Sequence, residues 1–348
     1  MLLRLPLTLT FVVAASLALA QGIDSRLEQR ASALAAEALH ADLGYSLVQS
    51  LTTEVGPRLA GTEAEERARQ WAVGKLRALG FSNVRVEPFE LPVWERGVEW
   101  AQISSPYPQP LVVSALGGST ATGADGVEGE VAAFASVKAL RAAPAENLNG
   151  KIVFIDEVMT RTQDGSGYGV AAAKRREAAY VAEEKGAAAV LIRSVGTSQH
   201  RFAHTGQMRR LTEAGESSGV PAAALSAPDA DQLQRILASH GSVTLRLVLT
   251  PEQLPAGRSG NVIAEVPGAE AADEIVLVGA HLDSWDLGTG AVDDGAGVGI
   301  VVAAAKQVRD ALPKGPRRTI RVVLFGAEEV GLVGAQAYAS AHAQELDK

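Results

Sequence analysis

The chain has 348 residues, a formal net charge of −8 and no cysteine. This length is ample for a buried core and favours two domains over one. The acidic balance, without a basic cluster, argues against binding to nucleic acid or to an anionic membrane surface. Disulfides are excluded, so the fold must depend on core burial and on any metal that binds.

Residues 1–20 have the pattern of a secretory signal peptide. One Arg4 precedes an apolar run from Leu5 to Leu19, and Ala18-Leu19-Ala20 predicts cleavage before Gln21. The run is shorter than the roughly 20 residues that a membrane span needs; an uncleaved anchor is the alternative. We therefore expect a secreted or periplasmic mature chain without a membrane partner.

The next segment, residues 21–105, reads as an α/β unit. Apolar spacing predicts a helix over Ser25–Thr53 with a break near Gly44. Thr62, with a glutamate three residues later, is a capping box that predicts a second helix. Alternation predicts a strand over Val84–Phe89.

Residues 106–255 have a different texture. Glycines separate short apolar runs, and an alanine-rich helical stretch leads into the strand Ala187–Ile192. This pattern predicts a β-rich insertion of domain size.

Residues 256–348 return to strand, helix and strand. Asp273–His281 and Thr319–Phe325 read as strands, joined by a crossover helix over Gly297–Asp310. Such a unit predicts an α/β fold with a mostly parallel sheet and flanking helices. The glycines of Gly295–Gly299 do not predict dinucleotide binding, because a loop of more than ten residues separates them from the strand.

Potential metal ligands follow both strands. His281, Asp293 and Glu329 offer the nitrogen and oxygen donors that zinc accepts. Asp283 shares a strand face with His281 and is positioned to hold its second ring nitrogen. Of the adjacent pair Glu328 and Glu329, one carboxylate can bind metal while the other remains as a general base for the attacking water.

Each of these patterns is common by itself. Asp293-Asp294-Gly295 is more often a turn or a helix N-cap, and a Glu-Glu pair is usually a solvated helix face. Their joint position is more specific, because two adjacent parallel strands present their carboxyl ends at the same sheet edge, where ligands bind in such folds.

The sequence GAHLDSWDLGTGAVDDGAG at 279–297 and the sequence GAEEVGLVGAQAY at 326–338 resemble the two central motifs of the dizinc exopeptidases, the family of leucyl aminopeptidases and glutamate carboxypeptidases. Ser284-Trp285-Asp286, Gly56-Pro57-Arg58-Leu59 and Pro92–Gly97 resemble its carboxypeptidase Q-type members. The resemblance runs from about Leu47 to the last residue.

The resemblance implies two zinc ions and a role for each residue. His281 would bind one ion, Asp293 would bridge both, and Glu329 would bind the other. Glu328 would be the base and Asp283 would orient His281. The resemblance also implies a cis peptide between Asp293 and Asp294, and a protease-associated domain as the insertion.

The family pattern continues beyond this sequence with a further aspartate and a second histidine as ligands. His342 and Asp347 are the only late candidates here, and they follow Glu329 too closely. We therefore expect about half of the family's ligand set, as in a fragment or a truncated product.

The loop Ser194–Arg210 contains His200 and His204. Its glycines and serines favour a loop over the helix that a His-x3-His metal site needs. The resemblance instead implies that His204-Thr205-Gly206 borders a substrate cleft.

Together these observations predict a secreted dizinc exopeptidase that hydrolyses short peptides or dipeptides. A homodimer is an alternative to a monomer. Two other functions remain open. One is a catalytically inert binding ectodomain of the same fold, and the other is a dizinc amidohydrolase that acts on a non-peptide amide.

Overall fold

The structure is a computed structural model that describes residues 24–209 and 218–345. The predicted signal peptide at 1–20 and the candidate Asp347 lie outside the described residues. The chain divides into two compact units, Met1–Ala41 and Asp42–Lys348. The described part of the first unit is helix α1, Ser25–Ala38, whose N-terminus is capped by the Asp24 carboxylate.

The second unit contains two sheets and the helices that pack on them. Its helices are α2 Leu43–Glu54, α3 Glu63–Ala78, α4 Val137–Ala142, α5 Ser166–Glu183, α6 Ala227–His240, α7 Ala296–Ala311 and α8 Val333–Ala341. Within the described ranges, no helix has both the length and the apolar character needed to cross a membrane.

The predicted break in the first helix is confirmed, and it lies a few residues before Gly44. The chain leaves helical conformation after α1 and α2 has begun by Leu43, so Gly44 lies inside a helix. Its role is packing: a Cβ built at Gly299 of α7 would lie 2.6 Å from the Gly44 carbonyl oxygen. Glycine at 299 therefore lets α2 and α7 approach closely.

The capping box is confirmed as the start of α3. The Thr62 side chain accepts a hydrogen bond from the Glu65 amide at 3.4 Å. The Glu65 carboxylate accepts from the amide of Gly61, not from that of Thr62, at 2.8 Å. The hydrogen bond from the glutamate back to the main chain thus falls one residue earlier than in a standard capping box.

The first sheet has four strands in the order β1-β10-β12-β11. Its strands are β1 Ser82–Glu95, β10 Glu252–Val266, β11 Ala271–His281 and β12 Arg318–Phe325. The prediction of a mostly parallel sheet is wrong for this sheet, because only β11 and β12 are parallel. Glu95 at the end of β1 pairs with Glu252 at the start of β10, so the chain leaves and re-enters the sheet at one point and the two strands must run antiparallel.

The residues between β1 and β10 form an eight-stranded mixed sheet in the order β3-β2-β9-β5-β6-β7-β8-β4. These strands are β2 Glu99–Ser105, β3 Gln109–Leu111, β4 Val113–Ala115, β5 Val127–Phe134, β6 Ile152–Ile155, β7 Ala189–Arg193, β8 Ala222–Leu225 and β9 Thr244–Leu249. Strands β5 to β8 are parallel and the other pairings are antiparallel. Its likeness to a protease-associated domain stays a prediction.

Helices α2, α3 and α7 cover one face of the four-stranded sheet with apolar side chains. The buried residues of this layer include Leu47, Leu51, Ala72, Leu76, Val298, Val302, Val322 and Leu324. The predicted strand-helix-strand order of β11, α7 and β12 is confirmed, as is the parallel pairing of the two strands. This core fixes where both strands end, and therefore where the candidate ligands stand.

Candidate metal centre

The centre lies where the parallel strands β11 and β12 end. His281 is the last residue of β11 and pairs with Phe325, the last residue of β12. Glu328 and Glu329 follow Phe325 within one turn of chain. The register of two neighbouring strands therefore brings a histidine and two carboxylates to one sheet edge.

Three of the predicted ligands meet at this edge. The candidate ligand atoms of His281, Asp293 and Glu329 all lie within 4.8 Å of one another. Nε2 of His281 is 2.9 Å from Oδ1 of Asp293. Across residues 24–209 and 218–345, no other group of three or more His, Asp or Glu side chains has this spacing. One imidazole and two carboxylates at this separation fit a zinc ion.

Asp283 lies beside His281 and also bonds to the segment that follows β12. Its carboxylate is fully buried and accepts hydrogen bonds from the amides of Glu328, at 3.0 Å, and Glu329, at 3.2 Å. Nδ1 of His281 is 3.0 Å from the main-chain oxygen of Asp283 and 3.6 Å from its carboxylate. The strand ends at this point, so the Asp283 side chain turns toward the neighbouring loop and ties both ligand segments together.

Asp294 lies just before helix α7, next to the candidate ligand Asp293. Its carboxylate accepts from the His281 amide at 3.1 Å and from the Gly297 amide at 3.0 Å. A cis peptide joins Asp293 and Asp294, as the family resemblance implied. Asp294 thus bonds to the first turn of the helix, while Asp293 stays a candidate ligand.

Arg58 was not assigned a role from the sequence, although its segment carried the resemblance. Its guanidinium is fully buried and donates to the carbonyls of Leu282 and Gly56, and of Thr289 at 2.6 Å and Gly290 at 3.0 Å. It thereby holds both ends of the loop between His281 and Asp293. Bonds to carbonyls leave no side-chain pattern in the sequence, so only the motif itself could have indicated this residue.

Negative charge dominates the electrostatics of the centre. Burial raises the pKa of Glu329, and the nearby Asp293 carboxylate adds to this, giving a value of about 8. Burial also raises the pKa of Glu328. Burial lowers the pKa of His281, but the adjacent Asp283 carboxylate, together with those of Glu328 and Glu329, outweighs it and raises the pKa to about 10. Burial and mutual repulsion disfavour the charged forms of Glu328 and Glu329, whereas the carboxylates attract the proton of His281. A dication among the carboxylates would relieve their repulsion.

A cavity of about 480 Å³ opens beside these residues. Asp293 and Glu329 form its floor together with the loop 284–290. The opposite wall comes from the eight-stranded sheet, through segments 112–114 and 202–205. The lining includes the apolar side chains of Val112, Val113, Phe202, Trp285 and Leu287. A largely apolar cavity next to potential metal ligands is typical of a substrate site.

Residues 261–348 match the family model described as peptidase family M28. A solved structure, the peptidase M28 precursor from Shewanella amazonensis SB2B, is 52% identical with a TM-score of 0.90, and the match covers 94% of this chain and 73% of that one. The chain belongs to peptidase family M28.

This M28 chain is also 35% identical to carboxypeptidase Q from Bos taurus over 86% of its own length. It spans 61% of the length of that relative. A zinc aminopeptidase from Bacillus subtilis shares the fold with a TM-score of 0.61 at 24% identity, over 86% of this chain and 64% of that one.

The other histidines of the M28 chain occupy different places. His204 lines the cavity opposite Asp293 and Glu329, and burial, followed by the nearby charge of Arg175, lowers its pKa. His200 is not among the residues that line this cavity, and stacks on Phe202 with ring centroids 6.1 Å apart. The predicted preference for a loop over a His-x3-His metal helix is borne out, because neither residue lies in a helix.

His342, the late ligand candidate, lies in a structural network. Its Nε2 is 2.9 Å from the Glu87 carboxylate and its Nδ1 is 3.1 Å from that of Glu345. Its ring stacks on Tyr338 at a centroid distance of 4.2 Å. Both ring nitrogens thus contact carboxylates, one in β1 and one near the end of the described chain, and the residue is not part of the His281 cluster.

Proposed function

We propose that this M28 chain carries the catalytic centre of a dizinc exopeptidase that hydrolyses short peptides. One observation carries the proposal: the candidate ligand atoms of His281, Asp293 and Glu329 lie within 4.8 Å of one another, and two of these residues, Asp293 and Glu329, line a cavity of about 480 Å³. The names of its relatives, which include a carboxypeptidase and aminopeptidases, support a peptide substrate. Neither the inert ectodomain nor the non-peptide amidohydrolase gains support from them.

His281, Asp293 and Glu329 would hold the metal, with Asp293 shared between two ions. When bound, zinc lowers the pKa of the attacking water and polarises the scissile carbonyl. Asp283 would keep His281 and both glutamates in register, since its buried carboxylate bonds to the amides of Glu328 and Glu329. Such supporting hydrogen bonds tune affinity as well as geometry.

Glu328 would be the general base. Its Oε2 lies 3.8 Å from Nε2 of His281, so it borders the ligands without joining their 4.8 Å cluster. Glu328 would take a proton from the attacking water and deliver it to the leaving amine. Burial raises the pKa of this carboxyl toward the pH at which it works, which favours transfer in both directions.

The cavity suits a small substrate. A volume of about 480 Å³ lies within the range of about 300–1,000 Å³ that is typical of small-ligand sites. It has room for the residues on either side of one peptide bond, and its apolar walls favour uncharged side chains. The apolar run of residues 5–19 supports export, and hence peptides outside the cytoplasm as substrates.

The test is Glu328→Gln in the full protein. We expect zinc content and zinc affinity to stay the same while kcat falls by at least about a thousandfold, because the proton acceptor is gone and the ligands remain. Elemental analysis and steady-state kinetics on dipeptides measure the two effects. Glu177→Gln, an exposed carboxylate paired with Arg141, is the control and should retain activity. Retained turnover would remove Glu328 from the base role, and lost zinc would make it a ligand.

A further inference from the structure

Two segments that the sequence analysis singled out, Pro92–Gly97 and Ser284-Trp285-Asp286, meet in the structure. Nε of Arg96 donates to Oδ2 of Asp286 at 2.6 Å, and Nη2 donates to Oδ1 at 3.0 Å. Only 11% of the Arg96 side chain is exposed. A two-pronged pair of this kind fixes direction as well as distance, and it is stronger than a single charged hydrogen bond.

The same guanidinium also contacts the eight-stranded sheet. Nη1 donates to Oγ of Ser114 at 2.7 Å and to the carbonyl of Ala115 at 2.9 Å. Nη2 reaches Oγ1 of Thr205 at 3.4 Å, and Glu99 supplies a second carboxylate partner. Arg96 therefore joins the loop after His281 to both segments that form the opposite wall of the cavity.

Trp285, next to Asp286, fits tightly against that sheet. A Cβ built at Gly117 would lie 2.1 Å from Cη2 of the Trp285 ring, so only glycine leaves room for the indole. Trp285 and Leu287 both line the cavity, whereas Arg96 and Asp286 are not among its lining residues. The pair can thus move the walls without touching what binds between them.

We propose that Arg96 and Asp286 are positioning residues that set the width of the cavity and so determine the size of the apolar side chain accepted beside the scissile bond. The inference rests on the proposed function. Loop 284–290 forms one wall and segments 112–114 and 202–205 form the other, and the ion pair is the charged connection between them. Releasing it widens the gap, and a large side chain then loses contacts that a small one never made.

The kinetic test uses two variants. Asp286→Asn keeps the shape of the side chain and removes its charge, and Arg96→Lys keeps the charge but cannot make the two parallel hydrogen bonds of the guanidinium. Substrates are dipeptides in which either residue is changed from Gly to Leu. We expect the Leu-to-Gly ratio of kcat/KM to fall about tenfold, mainly through KM, with kcat for the Gly substrate within about twofold. Arg96→Lys should keep more of the ratio than Arg96→Met. Glu177→Gln, which alters an ion pair far from the loop, should leave the ratio unchanged.

A second measurement does not need activity. Amide hydrogen exchange of residues 282–290 should become about tenfold faster in Asp286→Asn, while helix α3 exchanges as before. Faster exchange with an unchanged Leu-to-Gly ratio of kcat/KM would overturn the proposed size selection. If both the exchange and the ratio were unchanged, the Arg96–Asp286 pair would not hold the loop. If the wild-type protein hydrolyses no dipeptide, the proposed function fails, and the exchange experiment still decides whether the pair holds the loop.

Discussion

Both sheets place charged side chains where parallel strands end, but the two edges differ in their balance of charge. At the ends of β11 and β12, carboxylates outnumber cations around His281 and Arg58. The acidic residues there are Asp283, Asp293, Asp294, Glu328 and Glu329. At the ends of β6 and β7, by contrast, Arg193 lies 2.6 Å from each of two carboxylates, those of Asp156 and Asp231.

The difference shows that a polar strand end is not enough to indicate a metal site. Arg193 and its two partners satisfy one another, and buried Lys174 nearby donates to the Glu157 carbonyl, so this edge needs nothing further. At the His281 edge, burial and then repulsion by neighbouring carboxylates raise the pKa of Glu329 to about 8, which is a cost in the folded state without a bound cation. Excess negative charge, rather than position alone, distinguishes the candidate metal centre.

Metal removal should give the largest contrast between the edges. With free zinc about a thousandfold above its Kd, the free energy of unfolding should exceed that of the chelated protein by about 4 kcal/mol, because only the folded state assembles the ligands. Urea unfolding with zinc and with a chelator measures this difference. The same difference should persist in Asp156→Asn, which changes only the other edge. Equal unfolding curves in zinc and chelator would contradict the metal assignment.

Removing one carboxylate from the balanced Arg193 edge should lower the free energy of unfolding by somewhat less than metal removal does, and zinc should not change this loss. Asp156→Asn leaves Arg193, 7% exposed, with only the more exposed Asp231 as a charged partner, so we expect a loss of about 3 kcal/mol in unfolding free energy. Urea unfolding in chelator checks it. Glu177→Gln breaks an exposed pair and should change stability by less than about 0.5 kcal/mol. A loss as small as in this control would show that the Arg193 edge is not held by its charges.

The strands of the metal centre could be predicted because their signal is local. Apolar runs end at His281 and before Glu328, and the parallel pairing of such strands brings their ends together. The predicted bounds, 273–281 and 319–325, match Ala271–His281 and Arg318–Phe325 closely. The roles assigned to Glu328 and to the ligands stay proposals, although the geometry brings these residues to one place.

The long-range features could not be predicted from local patterns. Arg58 reaches Thr289 and Gly290 across more than two hundred residues, and it bonds to carbonyls that any sequence would offer. Likewise, the antiparallel pairing of β1 with β10 depends on where the chain returns after the eight-stranded sheet. Strand patterns show no direction, and the β11-α7-β12 unit alone predicts a mostly parallel sheet.

The smallest expected effect concerns Glu329, whose carboxylate should stabilise the protein when zinc is bound and destabilise it when zinc is absent. Folding raises the pKa of Glu329 from 4.5 to about 8, so the folded protein keeps a proton that the unfolded chain releases between these values. The stability of the metal-free protein should therefore fall as pH rises through this window. Glu329→Gln cannot ionise, and at pH 8 in chelator it should be more stable than the wild type by about 1 kcal/mol, a gap that narrows toward pH 5.

With zinc present, the sign of this difference should reverse, because the variant has lost a ligand. Urea unfolding at pH 5 and pH 8, with and without zinc, gives all four values. A variant that is less stable than the wild type in chelator at pH 8 would mean that Glu329 is stabilised by its neighbours rather than repelled by them. In that case Glu329 would not need a cation to offset its charge, and the His281 edge would not differ from the balanced Arg193 edge in the way argued above.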